Sequence, residues 1–195
     1  MLTTTLYRVS KQSARSIGLL PYLLAGLLLA VLLPHTSTAA DLTETRQLFR
    51  AGKYEECAEA AVATMAEGYH GEDWPLLKIE SDLQLGRHAA ALQTLEAALK
   101  NFRYSVRLRY VGHRVLLLNK LPERAKSTLE EVAQLATQAT YRYNDSANRV
   151  TLGKFYAERG ADARRVLETF FDPVKNTQPQ FPDAFMAAGE LALSK

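Results

Sequence analysis

Gly52-Lys53-Tyr54-Glu55-Glu56-Cys57 is followed 34 residues later by Gly86-Arg87-His88-Ala89-Ala90-Ala91. Another step of 34 carries Cys57 and Ala91 to Ala125. Four residues on, the same step relates Ala61, Leu95 and Leu129; seven on, Thr64, Ala98 and Val132; eight on, Met65, Leu99 and Ala133. The +7 positions are all small or β-branched, and a small residue followed by apolar residues at +4 and +8 forms one face of an α-helix, so one amphipathic helix recurs three times. Each copy opens with a turn. Glycine at 52 and 86 can take the left-handed conformation that ends one helix and lets the chain reverse into the next. The ring of Tyr54 or His88 then fills the start of the second helix, and Cys57, Ala91 and Ala125 let two helices approach closely.

The third copy reads Asn119-Lys120-Leu121-Pro122-Glu123-Arg124-Ala125. Here Asn119 is expected in the place of the glycine, with one residue added, and Pro122 suits the first turn of a helix. The pattern predicts helices over 42–50, 54–67, 74–85, 88–100, 104–118 and 122–137. After a long loop around Tyr141-Arg142-Tyr143-Asn144-Asp145, a seventh helix is expected over 146–158. An eighth should start at Asp162 and end before Pro173, and a ninth should span 182–194.

A helical pair of this length with a mid-repeat Gly-x-Tyr and a later small residue resembles the tetratricopeptide repeat family, over roughly residues 42–195. The fold expected is all-α: a right-handed αα-superhelix of about four helix pairs plus a last unpaired helix. The repeats should cover 42–68, 73–101, 104–138, 145–173 and, in part, 182–195. The resemblance implies that the first helix of each pair lines a concave groove in which extended peptides bind.

Residues 1–40 read as a separate segment. Arg8, Lys11 and Arg15 make a basic start, an apolar run extends from Ile17 to Leu33, and Thr38 and Ala40 offer a small-residue cleavage site before Asp41. That is a signal peptide, or an uncleaved signal anchor. Both place residues 41–195 outside the cytoplasm, so the chain looks like an exported bacterial member of the family, periplasmic or secreted. The leader also explains the charge. The chain holds 24 Lys+Arg and 21 Asp+Glu; the leader takes three of the former and none of the latter, leaving 21 against 21. A neutral repeat domain gives no electrostatic case for nucleic acid.

Catalytic and metal chemistry find little support. Cys57 is the single cysteine, so no internal disulfide can form. It occupies a packing position and reads as a small buried hydrophobe. His70, with Glu72 and Asp73 nearby, lacks any paired His or Cys spacing, and no metal or cofactor is expected. No phosphate loop or nucleophile motif is present.

The segment from Lys100 to Lys120 stands out. It carries six Lys or Arg residues, His113 and no acid, interleaved with Phe102, Tyr104 and Tyr110. With Gly112 as the small residue of that helix, Arg109, Tyr110 and His113 are expected to turn towards the groove, with Arg107 and Arg114 beside them. These residues could hold a carboxylate or an acidic segment. The alternative is a solvated basic face balanced by Glu96, Glu123, Glu130 and Glu131.

The expected function is therefore a non-catalytic scaffold outside the cytoplasm that binds a peptide or protein on its concave face. The alternative is the amino-terminal repeat arm of a larger exported enzyme. The last helix, with Phe185, Ala188, Leu191 and Ala192 on one face, is expected to leave that face for a partner or for self-association.

Overall fold

The computed structural model describes residues 41–68 and 71–194. The leader, His70 and Lys195 lie outside the described residues. Among the described residues ten helices follow one another: α1 (Leu42–Arg50), α2 (Tyr54–Ala66), α3 (Asp73–Gln84), α4 (His88–Asn101), α5 (Val106–Leu118), α6 (Pro122–Gln138), α7 (Ser146–Glu158), α8 (Ala163–Val166), α9 (Asp172–Thr177) and α10 (Pro182–Leu193). A 3₁₀ turn at Thr140–Tyr143 joins α6 to α7, and a π-helical turn at Leu167–Phe171 makes α8 and α9 one continuous rod. No strand occurs among the described residues. The helices pack as antiparallel pairs, α1 with α2, α3 with α4, α5 with α6, and α7 with the α8–α9 rod, with α10 laid against α7. This is the architecture of a tetratricopeptide-like solenoid.

Four turns with one hydrogen-bond pattern make the pairs. At the first, Gly52 N–H donates to Phe49 O and Lys53 N–H to Leu48 O, both at 3.0 Å. The same two bonds recur with Gly86 and Arg87, with Lys120 and Leu121, and with Gly160 and Ala161. Each satisfies two carbonyls that a helix end leaves orphaned, and each needs a left-handed residue. That residue has φ 77° at Gly52, 72° at Gly86 and 81° at Gly160, and φ 60° at Lys120. The third turn therefore departs from expectation. Lys120, not Asn119, takes the glycine's place, and it does so at the same 34-residue step with nothing added. Asn119 does other work: its Nδ2 donates to Val115 O (2.8 Å) and across to His88 O (2.9 Å), tying the third pair to the second.

Side chains of the second helices form the seam. Cys57, Ala91 and Ala125 are wholly buried, as are Ala61, Thr64 and Val132, while Leu95 and Ala98 are nearly so. Gly112 of α5 admits the Leu95 side chain so closely that an added Cβ would stand 3.0 Å from Leu95 Cδ2. The core runs as a succession of clusters from Cys57 and Trp74 at one end to Phe171, Val174 and Ala187 at the other. That one-dimensional succession is how stacked hairpins bury apolar surface that no single hairpin could cover alone.

The eighth helix does not end before Pro173. A proline there has no N–H for the carbonyl four residues back, which is Thr169 O. The π-helical turn widens the rod just ahead of the proline, and Arg149 Nη1 of α7 donates to Thr169 O at 3.4 Å. With that carbonyl partnered, the rod continues to Thr177. Gly153 of α7 lets the widened turn come in, since a Cβ there would lie 2.2 Å from Phe171 Cε1.

Candidate binding channel

The first helices of the pairs face a common interior. A recess of about 450 Å³ is lined by Arg46 and Phe49 of α1, Asp73, Leu76 and Glu80 of α3, Arg107, Tyr110 and Arg114 of α5, Val150 and Lys154 of α7, and Asp183 and Glu190 of α10. The second helices contribute nothing to it. It meets a larger recess of about 700 Å³ that shares Glu80, Tyr110, Arg114, Lys154 and Glu190 and reaches Leu117, Glu158 and Leu191. Helical spacing selects these residues. Along α5 they are 107, 110, 111 and 114, the i, i+3, i+4, i+7 stripe of one helix face.

That stripe sorts the residues singled out in the basic segment. Arg107, Tyr110 and Arg114 do line the channel. His113 reaches only the larger recess, and its Nδ1 lies 3.2 Å from Ala125 O of the paired helix. Arg109 is turned away: its Nε donates to Glu131 of α6 at 2.6 Å and its Nη1 to Ser105 O at 3.2 Å. The expectation that Arg109 faces the groove fails because it sits about 200° from Arg107 round the helix. Gly112 turns to α4 rather than to the channel.

Most of the channel's charge is spent internally. Arg107 Nη1 meets Glu72 Oε1 at 3.1 Å and its Nη2 meets Asp73 Oδ1 at 2.7 Å; Arg46 reaches the same carboxylate oxygen of Asp73 at 2.7 Å. These bonds join the three first helices α1, α3 and α5. Burial alone would raise the Asp73 pKa, but the two guanidiniums outweigh it and hold the carboxyl below its ordinary value. The acids beside His70 in the sequence are thus engaged by arginines. Arg50 of α1 pairs with Asp183 of α10 at 3.3 Å, a bridge between the first and last described helices. Lys154 pairs with Glu190 at 3.4 Å. The Tyr110 hydroxyl donates to Glu158 Oε1 at 2.5 Å, and burial together with that carboxylate raises the phenol's pKa.

Two opposite charges remain. Glu80 and Arg114 have neither an ion pair nor a side-chain hydrogen bond among the described residues, and both line both recesses. Protein surrounds Glu80, although water reaches it through the channel, and this burial raises its carboxyl pKa; Arg107 and Arg114 pull the other way without overcoming it.

A reading of the basic segment alone misses Glu80, Lys154, Asp183 and Glu190. A signal for one of them was present: stepping back from Arg114 by 34 gives Glu80, and again gives Arg46. The period that finds the second helices also finds this row on the first helices.

Cys57, by contrast, is wholly enclosed, and burial raises its thiol pKa, which suits packing and opposes reactivity. Among the described residues no group of three or more His, Cys, Asp or Glu side chains could hold a metal ion.

No family model matches this chain, and neither does any curated protein. Among solved structures it is similar to YrrB, described as a TPR protein with an unusual peptide-binding site, at 19% identity and a TM-score of 0.46, over 82% of this chain and 79% of that one.

Proposed function

We propose that this protein is a non-catalytic scaffold, working outside the cytoplasm, whose concave channel receives a peptide or an extended segment of a partner protein. The observation that carries the reading is the lining of the channel. The first helices of the four pairs, together with α10, present it, with apolar floor positions such as Leu76, Val111 and Val150 set between charges that are mostly paired. An extended chain would find side-chain pockets there without having to disrupt those pairs. Tyr110, held by Glu158, offers a fixed ring for contact at low entropy cost.

The export reading rests on the basic, apolar and small-residue succession of residues 1–40. No helix among the described residues is long and apolar enough to cross a membrane.

Two experiments test the proposal. Val111→Arg places a long charged side chain on the channel floor; it should abolish peptide selection from a random display library while leaving the far-UV circular dichroism unchanged. Peptide selection unaltered by that substitution would place binding elsewhere. Fractionation of the expressing cell, with mass spectrometry of the product, should yield an envelope species beginning at Asp41. A cytoplasmic species with Met1 intact would overturn the export reading.

A further inference from the structure

The row formed by Arg46, Glu80 and Arg114 places one residue of each of α1, α3 and α5 at equivalent points of the channel. Arg46 is committed to Asp73, Arg107 to Glu72 and Asp73, and Lys154 to Glu190, which leaves Arg114 as the uncommitted cation near Glu80 among the described residues. Glu80 receives a hydrogen bond from none of these cations, those of Arg46, Arg107 and Lys154 being spent elsewhere. Its burial raises its pKa, which means that the surroundings do not compensate the charge it carries at neutral pH. With the internal pairs set aside, the channel keeps the cation Arg114 against the carboxylates of Glu80 and Glu158, the latter already accepting from Tyr110. Over the two recesses together the uncommitted charge is therefore one cation against two carboxylates, Glu80 lining both recesses and Glu158 the larger one.

We propose that the occupant of the channel is an extended peptide segment carrying a single lysine or arginine, whose cationic group is received by Glu80. This rests on the channel being the binding site, as argued above. A basic side chain gives Glu80 the charge-assisted hydrogen bond that the protein withholds. Arg114, one step along the row, repels a second base, so the preferred segment has one basic position rather than a basic run. An acidic segment, by contrast, would bring its charge against Glu80.

The test uses the full-length protein against a display library of short random peptides. Wild type should enrich peptides with Lys or Arg at one fixed position. Replacing that residue by norleucine in a selected peptide should weaken binding about tenfold or more, in keeping with the loss of a hydrogen bond to a charged group. In Glu80→Gln the same replacement should change affinity less than about twofold, and Glu80→Lys should select Asp or Glu at that position. Glu80→Gln should also melt at a higher temperature than wild type at pH 7, so lost selectivity cannot be misfolding. The sign follows from the raised carboxyl: wild type loses stability by ionising Glu80 above the ordinary 4.5, and below that value the two proteins should converge. Wild-type enrichment with no basic position, or a basic preference surviving Glu80→Gln, would overturn the assignment while leaving the channel reading intact. Absence of any enrichment over Val111→Arg would overturn both.

Discussion

The first three hairpins and the fourth reach the same shape by opposite packing. In the first three, the second helix carries the small residue (Cys57, Ala91, Ala125) and the pairs recur at a strict step of 34 residues. In the fourth, the first helix carries it, as Gly153, and the second helix supplies the bulk, as Phe171. The Gly160 turn comes 40 residues after Lys120 rather than 34, because α6 is lengthened and a 3₁₀ turn is added. The fourth rod also contains a proline that it survives only through a π-helical turn and Arg149. Yet the reversing turn is the same in all four, with the same two backbone hydrogen bonds. Turn chemistry fixes the hairpin, then, and the hole between its helices can be supplied by either side.

The largest test of this contrast is Gly153→Val. A Cβ at 2.2 Å from Phe171 Cε1 cannot be accommodated without moving the ring, so the loss should be about 3 kcal/mol or more by chemical denaturation. Adding Phe171→Leu should recover part of it; additive losses would mean that the two residues do not form one contact. Ala91→Leu attacks the regular seam from the other helix and should cost about 1–3 kcal/mol. An unchanged melting temperature there would show that the repeat register is wrong.

Arg149→Met removes the donor to Thr169 O and should cost about 0.5–1 kcal/mol. In a Pro173→Ala background, where the backbone can supply its own N–H, the same change should cost measurably less. A cycle with no coupling would break the account of how the rod passes the proline. The smallest effect should be a gain. Lys120→Gly relieves a side chain held at φ 60° and should stabilise by about 0.5–1 kcal/mol, whereas Gly86→Lys at the equivalent turn should destabilise by a similar amount.

Much of this was legible. The helix limits at Leu42–Arg50 and Ser146–Glu158, the start of the eighth helix beside Asp162, and the close packing at Cys57, Ala91 and Ala125 follow from spacing and turn chemistry. Two misreadings share one cause, the weighing of a residue by its average habit. Asn119 is the more common left-handed residue, but the turn is set by the hydrogen bonds of Lys120 and Leu121 to Leu117 and Leu116. Pro173 usually ends a helix, but a partner on α7 met the freed carbonyl. On the last helix Phe185 is about half exposed, as expected of a face left uncovered, whereas Ala188 and Leu191 of the same face pack against the core.

The candidate channel was legible in kind and not in detail. The resemblance placed it on the first helices, and Arg107, Tyr110 and Arg114 are there. Arg109 was misplaced because a basic run spans every face of a helix, and composition does not say which face turns inward.

By itself the sequence determined the all-α class, the hairpin period and the small residues at the seam, because each is encoded in spacings within one turn or one repeat. Only the tertiary structure decided which charges are spent on each other and which are left over. Arg46 and Arg107 meet at Asp73, and Arg50 finds Asp183 across 133 residues, because stacked helices bring distant positions within reach of a few ångströms. Pairing between charges so far apart in sequence depends on that proximity and on burial, and no local pattern carries it. Glu80 and Arg114 are a candidate pair of ligand contacts because the packing satisfied their neighbours and passed them by.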